Sequence, residues 1–175
     1  EERTRQFGRT SSKLNRKSEY WSPCALGFLK PNCDYAFLHD DHLATFGGVI
    51  RDDNGSFVQA FSRCYGHVAI LEAELWGITW GLRMATSRNI LLVEVESDSL
   101  LEVNLINSGY PSSHSCFASI EEIKRIKSSF QKCSFSHIIR EANQLANSFM
   151  QYGFSLITKS AGFEFLPNFA HDSFW

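Results

Sequence analysis

The chain is 175 residues long, 43% hydrophobic and 21% charged, with a formal net charge of -2, which is enough for one domain with a real apolar core and some chain to spare. A near-neutral, slightly acidic balance excludes a protein that grips polyanions through a global positive field, so any contact with nucleic acid must be local. Five cysteines, an odd number with no CxxC pair, suit reduced thiols better than a disulfide frame or a zinc centre. There is no signal-peptide pattern and no apolar run long enough to span a bilayer, so the expectation is an intracellular, unsecreted protein of the nucleus or cytoplasm.

Residues 1–20 (EERTRQFGRTSSKLNRKSEY) are polar, lean basic and show no periodicity, which predicts a linker or disordered arm. From Trp21 the character changes. Residues 33–39, 44–51 and 56–64 read as three strands of an antiparallel meander. Asp52-Asp53-Asn54-Gly55 is the hairpin turn between the second and third, since Asn-Gly accepts the positive φ of a two-residue turn. Leu71, Leu75, Ile78, Leu82 and Ala85, at i, i+4, i+7 spacing, predict a helix over about 69–87. The strand ILLVEVES (90–97) follows, then helices over 98–108 and 117–131 separated by SGYPSSHS. A strand over 133–139 leads to a helix starting near Glu141, with Ala142, Leu145, Ala146, Phe149 and Met150 on one face. The order is βββαβααβα. The tail FEFLPNFAHDSFW allows a short helix after Pro167, and its aromatic side chains are expected to pack on their own domain. The expected organisation is therefore an arm (1–20), one domain (21–155) and a tail (156–175), with a first residue other than Met, as in an excerpt from a longer polypeptide.

In VEVESDS the period of two places Glu94, Glu96 and Asp98 on one side of an extended chain. Glu94 and Glu96 read as solvent-facing strand acids, whereas Asp98 stands at the strand's exit. Asp34 lies in an apolar strand and Glu74 at the edge of the helical stripe. If the first and fourth strands are neighbours, these three carboxylates can converge, and converging carboxylates repel unless a cation or a shared proton offsets the charge. An all-oxygen set with open positions favours Mg²⁺ or Mn²⁺, and a pair of such ions suits phosphodiester cleavage. The plainer readings are an edge-strand acid for Asp34, a helix-macrodipole acid for Glu74 and a helix N-cap for Asp98. His39-Asp40-Asp41-His42 reads as a solvated turn rather than a metal cluster. Lys124, Arg125 and Lys127 read as a charged helix face, with phosphate contact as the alternative.

NCDYA, GGVIRDDNG, EAELWGITWGL, VEVESDS and HIIREANQLANSF, in that order and spacing, resemble the ribonuclease H-like (type 1 ribonuclease H) domain of plant reverse-transcriptase and non-LTR retroelement-related proteins, over about residues 21–153. The resemblance implies an α/β fold with a five-stranded mixed sheet, three antiparallel strands followed by two parallel ones, flanked by helices. It implies Mg²⁺-dependent hydrolysis of the RNA strand of an RNA–DNA hybrid, by a monomeric domain that engages no membrane. Position by position, it implies that Asp34, Glu74 and Asp98 are catalytic metal ligands and that His137 assists proton transfer or product departure. Asn147 falls where the family places its fourth carboxylate, as a metal-site residue without charge. Contacts to the hybrid are expected near Gly47 and Gly48, helped by Arg51, Lys124, Arg125 and Lys127. A second departure is Tyr35, where relatives carry glycine, which crowds the approach of substrate to the backbone. Two functions therefore stand side by side. One is a hybrid-cleaving two-metal nuclease weakened by Asn147, the other a catalytically inactive, retroelement-derived domain that binds nucleic acid or serves a structural role.

Overall fold

The computed structural model describes residues 20–38, 43–66, 70–156 and 159–174, so the turn at 39–42 and nearly all of the arm lie outside the described residues. In chain order the elements are β1 (Lys30–Leu38), β2 (Leu43–Arg51), β3 (Phe57–Gly66), α1 (Ile70–Ser87), β4 (Leu92–Ser97), α2 (Leu100–Ser108), α3 (Phe117–Lys127) and β5 (Lys132–His137). A 3-10 turn at Arg140–Asn143 enters α4 (Gln144–Gly153); β6 (Ser160–Phe163) and a last 3-10 turn at Asn168–Ala170 close the chain. The strands form one sheet in the order β5-β4-β1-β2-β3-β6. β1, β2, β3 and β6 pair antiparallel, while β4 runs parallel to β1 and β5 parallel to β4. This is the expected mixed α/β sheet with six strands rather than five. The extra strand, SAGF, pairs with β3 from Ala60 opposite Phe163 to Arg63 opposite Ser160. Four residues with one large apolar side chain carry too short a pattern to announce a strand.

The period of two along β2 divides the interior into two cores. Phe46 and Ile50 face one way, into a core with Leu75, Ile78 and Leu82 of α1 and Ile120, Ile123 and Ile126 of α3. Val49 belongs to the other, with Ala60, Leu145, Ala146 and Phe149. Each of the large side chains fully buried here contributes roughly 1.5–3 kcal/mol. The tail completes the second core: Phe163 and Phe169 set their rings 5.2 and 5.4 Å from that of Phe149, and Phe169 stacks on Tyr152 at 4.5 Å.

Local chemistry fixes the ends of these elements. The β2–β3 turn is built on Asp52, whose Oδ1 accepts the backbone N–H groups of Asn54 (2.9 Å) and Ser56 (2.8 Å). Only Gly55, at φ 81°, takes the left-handed conformation there, so the connection is longer than the two-residue Asn-Gly turn expected. Asn89, at φ 55°, ends the run that closes α1, a role its short polar side chain permits.

Gly47 is where α4 comes closest to the sheet. A Cβ there would lie 2.3 Å from the Met150 nitrogen and 2.5 Å from the Phe149 carbonyl carbon. These are backbone atoms, which cannot step aside unless the helix moves. Gly47→Ala is therefore expected to lower stability by about 1–3 kcal/mol, read as a lower urea midpoint with an unchanged slope.

Candidate active site

β1 and β4 are neighbours, paired in parallel with Cys33 opposite Ser97, so the next residues along, Asp34 and Asp98, stand side by side at one end of the sheet. Alternation along β1 then sends Asp34 and Tyr35 to opposite faces. Asp34, 6% exposed, meets α4: its Oδ2 accepts the Asn147 amide Nδ2 at 2.8 Å, and its Oδ1 accepts the Tyr35 backbone N–H at 2.8 Å. Because an ionised carboxylate only accepts, the amide of Asn147 must present its nitrogen to Asp34 and turn its oxygen away. Tyr35 faces α1, where burial and then the nearby Glu74 carboxylate hold its hydroxyl above the ordinary range. Glu74, buried, accepts the Ser99 hydroxyl at 3.3 Å. Ser99 holds the N-cap position of α2 and spends its hydroxyl on Glu74 rather than on the helix, which leaves the Asp98 side chain outside the capping role.

Asp34, Tyr35, Phe37, Asp98, Ser99 and Arg140 line an open cleft of 490 Å³. The two acids of its lining, Asp34 and Asp98, and Glu74 behind Ser99 are held above their ordinary values. Burial, then the Asp98 carboxylate, pushes Asp34 up to about 6, against the opposing pull of Asn147, the Tyr35 N–H and Arg140. Burial raises Glu74 as well, with Asp98 adding to it and the Tyr35 and Ser99 hydroxyls opposing. Asp98 is raised by burial and held down by Arg140, His137 and Asn143. The His137 Nε2–H donates to the Asp98 carbonyl at 3.1 Å, and its ring borders a separate cavity with Tyr20, Trp21 and Glu96. Among the described residues no group of three or more His, Cys, Asp or Glu side chains is gathered closely enough to grip a metal ion. What is assembled is a set of buried oxygen donors with one of Asp34's lone pairs already taken by an amide.

The residues expected to contact substrate lie elsewhere. Gly47 and Gly48 are interior: α4 backbone fills the place of one side chain, and the Phe61 ring, 2.6 Å from where a Cβ would be, fills that of the other. Arg51 is 4% exposed, stacks 3.4 Å from the Trp21 ring centre and donates to Asn32 Oδ1 at 3.0 Å; burial lowers it to about 9. It is a buried packing cation, out of reach of phosphate. Lys124 and Arg125 pair with Glu121 and Glu122 on the exposed side of α3, and Lys127 lies over the Phe135 ring, so none of the three borders the cleft. Glu96 is likewise corrected. It is 8% exposed, ion-paired to Lys30 at 2.9 Å and hydrogen-bonded by Asn32 Nδ2 at 2.9 Å.

Three polar side chains beside these acids lie outside the candidates that the sequence offers. Arg140 brings the cleft its cation. Asn143, 1% exposed, donates Nδ2 to the Cys33 carbonyl at 2.9 Å, tying the entry of α4 to β1 beside Asp34. Both belong to HIIREAN, where the histidine and the more distant Asn147 drew the attention. The third, Glu102, is buried in the first turn of α2 and had no signal beyond its spacing of four from Asp98.

Comparison with known proteins bears on the family and the fold. Residues 32–153 match the family described as Reverse transcriptase-like. An Arabidopsis thaliana protein whose name assigns it to ribonuclease H is 32% identical over 161 residues, covering 92% of this chain and 26% of that protein, so the chain spans about a quarter of that relative's length. Among solved structures, ribonuclease H1 of the archaeon Halobacterium salinarum superposes with a TM-score of 0.68 at 17% identity, covering 73% of this chain and 98% of its own. LC11-RNase H1, isolated from compost and solved in complex with an RNA/DNA hybrid, superposes with a TM-score of 0.64 at 23% identity, covering 71% of this chain and 94% of its own. With the sheet order, the paired acids at its tip and the match over residues 32–153 together, the chain belongs to the Reverse transcriptase-like family and folds as a ribonuclease H-like domain.

Proposed function

We propose that this domain binds RNA–DNA hybrids in the cleft between Asp34, Asp98 and Arg140 and hydrolyses the RNA strand slowly, with Mg²⁺ or Mn²⁺ held by Asp34, Glu74 and Asp98. The observation that carries this reading is the hydrogen bond from the Asn147 amide to Asp34. A carboxylate at that position would add charge to an ion site. The amide instead donates into the acid that is to hold the ion, so it withdraws a charge and competes for Asp34 at once.

In its chemistry the donor set suits a hard divalent cation, although among the described residues the acids as they stand are not gathered closely enough to grip one. Asp34 and Glu74 are buried and raised by burial and then by Asp98, and Asp98, half-buried, is itself raised by burial; such acids gain from positive charge, and oxygen ligands are what such ions take. When bound, the ion supplies charge neutralisation at the phosphate and a water acidic enough to attack it. The chain does the rest. The Ser99 hydroxyl fixes the Glu74 carboxylate, and Asn143 anchors the entry of α4 to β1 beside Asp34. Arg140 offers a guanidinium to a phosphate of the bound strand, a contact that positions rather than reads sequence. His137, which borders the neighbouring cavity, holds the end of β4 through the Asp98 carbonyl and so positions Asp98. The hybrid-bound LC11-RNase H1 supports the substrate class, and five unpaired cysteines support an intracellular, reducing setting.

The test is cleavage of a labelled RNA–DNA hybrid in Mg²⁺ and in Mn²⁺, with and without Asn147→Asp. The variant is expected to cleave about tenfold faster or more, a gain of at least ~1.4 kcal/mol in transition-state stabilisation. Equal rates would remove the weakened-nuclease reading. The same amide bond favours a second reading, a domain that binds hybrids without cutting them; it stands if both forms bind hybrid and neither cleaves.

A further inference from the structure

Glu102 is a carboxyl that the proposed chemistry does not use. It sits in the first turn of α2 and is 1% exposed, next to the buried Val103. Its Oε2 accepts the Ser97 hydroxyl at 3.0 Å, while its Oε1 is buried with no hydrogen-bond partner among the described residues. An acid in such a place is costly, and an apolar residue of the same size would pack without that cost. What surrounds Glu102 is the acid cluster of the cleft. Of the charges that act on it Glu74 acts most strongly, then Asp98 and Asp34. It is also wired to Glu74, because Ser97 Oγ accepts the Ser99 backbone N–H at 3.1 Å and the Ser99 hydroxyl donates to Glu74.

We propose that Glu102 is a positioning residue of the cation site, a fourth carboxyl anchored by Ser97 within electrostatic reach of Asp34, Glu74 and Asp98, which supplies the negative charge that Asn147 does not bring. This rests on the reading of the cleft as a divalent-cation site. Two observations point the same way. The orphan Oε1 belongs to a buried carboxyl on which Asp34, the acid that Asn147 bonds, acts, and the Ser97–Ser99 chain gives Glu102 a hold on Glu74, the ligand on the neighbouring helix. An acid one layer behind the ligands both orients them and, across a medium of low dielectric, attracts the cation without touching it. Burial and the Glu74 carboxylate hold Glu102 well above the ordinary carboxylate range, which is how the fold tolerates it without a cation.

The experiment measures Mn²⁺ affinity by calorimetry, and the melting temperature with and without Mn²⁺, on the whole 175-residue chain. The variants are Glu102→Gln, Glu102→Met, Asn147→Asp and the pair Glu102→Gln with Asn147→Asp, with Glu74→Gln marking the site itself. Glu102→Gln is expected to weaken Mn²⁺ binding about tenfold or more, and Asn147→Asp to restore most of that loss in the double variant. Glu102→Met is expected to melt at or above the unmodified protein without Mn²⁺ and to lose most of the rise that Mn²⁺ gives. If both Glu102 variants melt lower without Mn²⁺ yet bind it as tightly as before, while Glu74→Gln weakens binding, Glu102 is a packing residue and the proposal is overturned with the cation site intact. If the unmodified chain binds no Mn²⁺, or Glu74→Gln binds it equally well, the cation-site reading falls and this proposal falls with it.

Discussion

Asp34→Asn is expected to abolish hybrid cleavage and, in the absence of a divalent ion, to raise the melting temperature at neutral pH. The first effect follows from the proposed role of Asp34. Losing one charged oxygen donor at the centre of the site removes on the order of 4 kcal/mol of transition-state stabilisation, roughly a thousandfold in rate. The second follows from the environment. Asp34 is pressed by burial and then by Asp98, against the pull of Asn147, the Tyr35 N–H and Arg140, and its carboxyl still rises from an ordinary 3.8 to about 6. The folded state therefore binds this proton more tightly than the unfolded chain. Its contribution to stability is complete below about pH 4, falls as the pH rises, and is lost by about pH 7, a deficit on the order of 3 kcal/mol. The asparagine cannot ionise, keeps its Oδ1 for the Tyr35 N–H, and can donate to Asn147 if that amide turns over. At pH 7.5 the variant should melt several degrees above the unmodified protein; at pH 4 the difference should vanish. A variant that melts lower at both pH values would mean that Asp34 stabilises the fold, and the site would lose its character as a strained cluster of acids.

Glu96→Gln is expected to cost about 3–5 kcal/mol, a fall in melting temperature of roughly 6–20 °C, although its neighbour on the same side of β4 is nearly indifferent to the same change. Lys30 and Arg51 are each 4% exposed and share Glu96 as their counter-charge, Lys30 at 2.9 Å and Arg51 through Asn32. Among the described residues the amide leaves two buried cations with Glu94, 3.8 Å from Lys30, as the remaining ion-pair partner. Glu94 has 30% of its side chain exposed, so Glu94→Gln should cost under about 1 kcal/mol. Thermal melts of the two variants side by side decide the matter, because a solvent-facing Glu96 predicts equal and small losses for both.

That contrast shows how far the sequence reaches. Alternation in VEVES and the spacing of Leu75, Ile78 and Leu82 report local period and local burial, so the strands, the helices and the two-sided sheet were legible along the chain. So were Asp34, Glu74 and Asp98 as acids in places that call for an offsetting charge. Element ends were less so, as at the β2–β3 turn, where the Asp52 side chain organises the loop and sets Gly55 rather than Asn54 in the left-handed region.

What the sequence by itself determined is the periodic pattern, and with it the fold class, the element order and the candidate acids, because burial of one face imposes its period on neighbouring residues. Only the tertiary structure decided which partner each polar group meets. Asn147 reaches Asp34 across 113 positions, Lys30 meets Glu96 across 66, Arg51 stacks on Trp21, α4 rests on Gly47, β6 closes on β3, and Glu102 lies among the acids of the cleft. The physical reason is one and the same. A charge or an amide looks alike in the chain whether water or another side chain will satisfy it, and what satisfies it is chosen by strand register and helix approach, which no local period records.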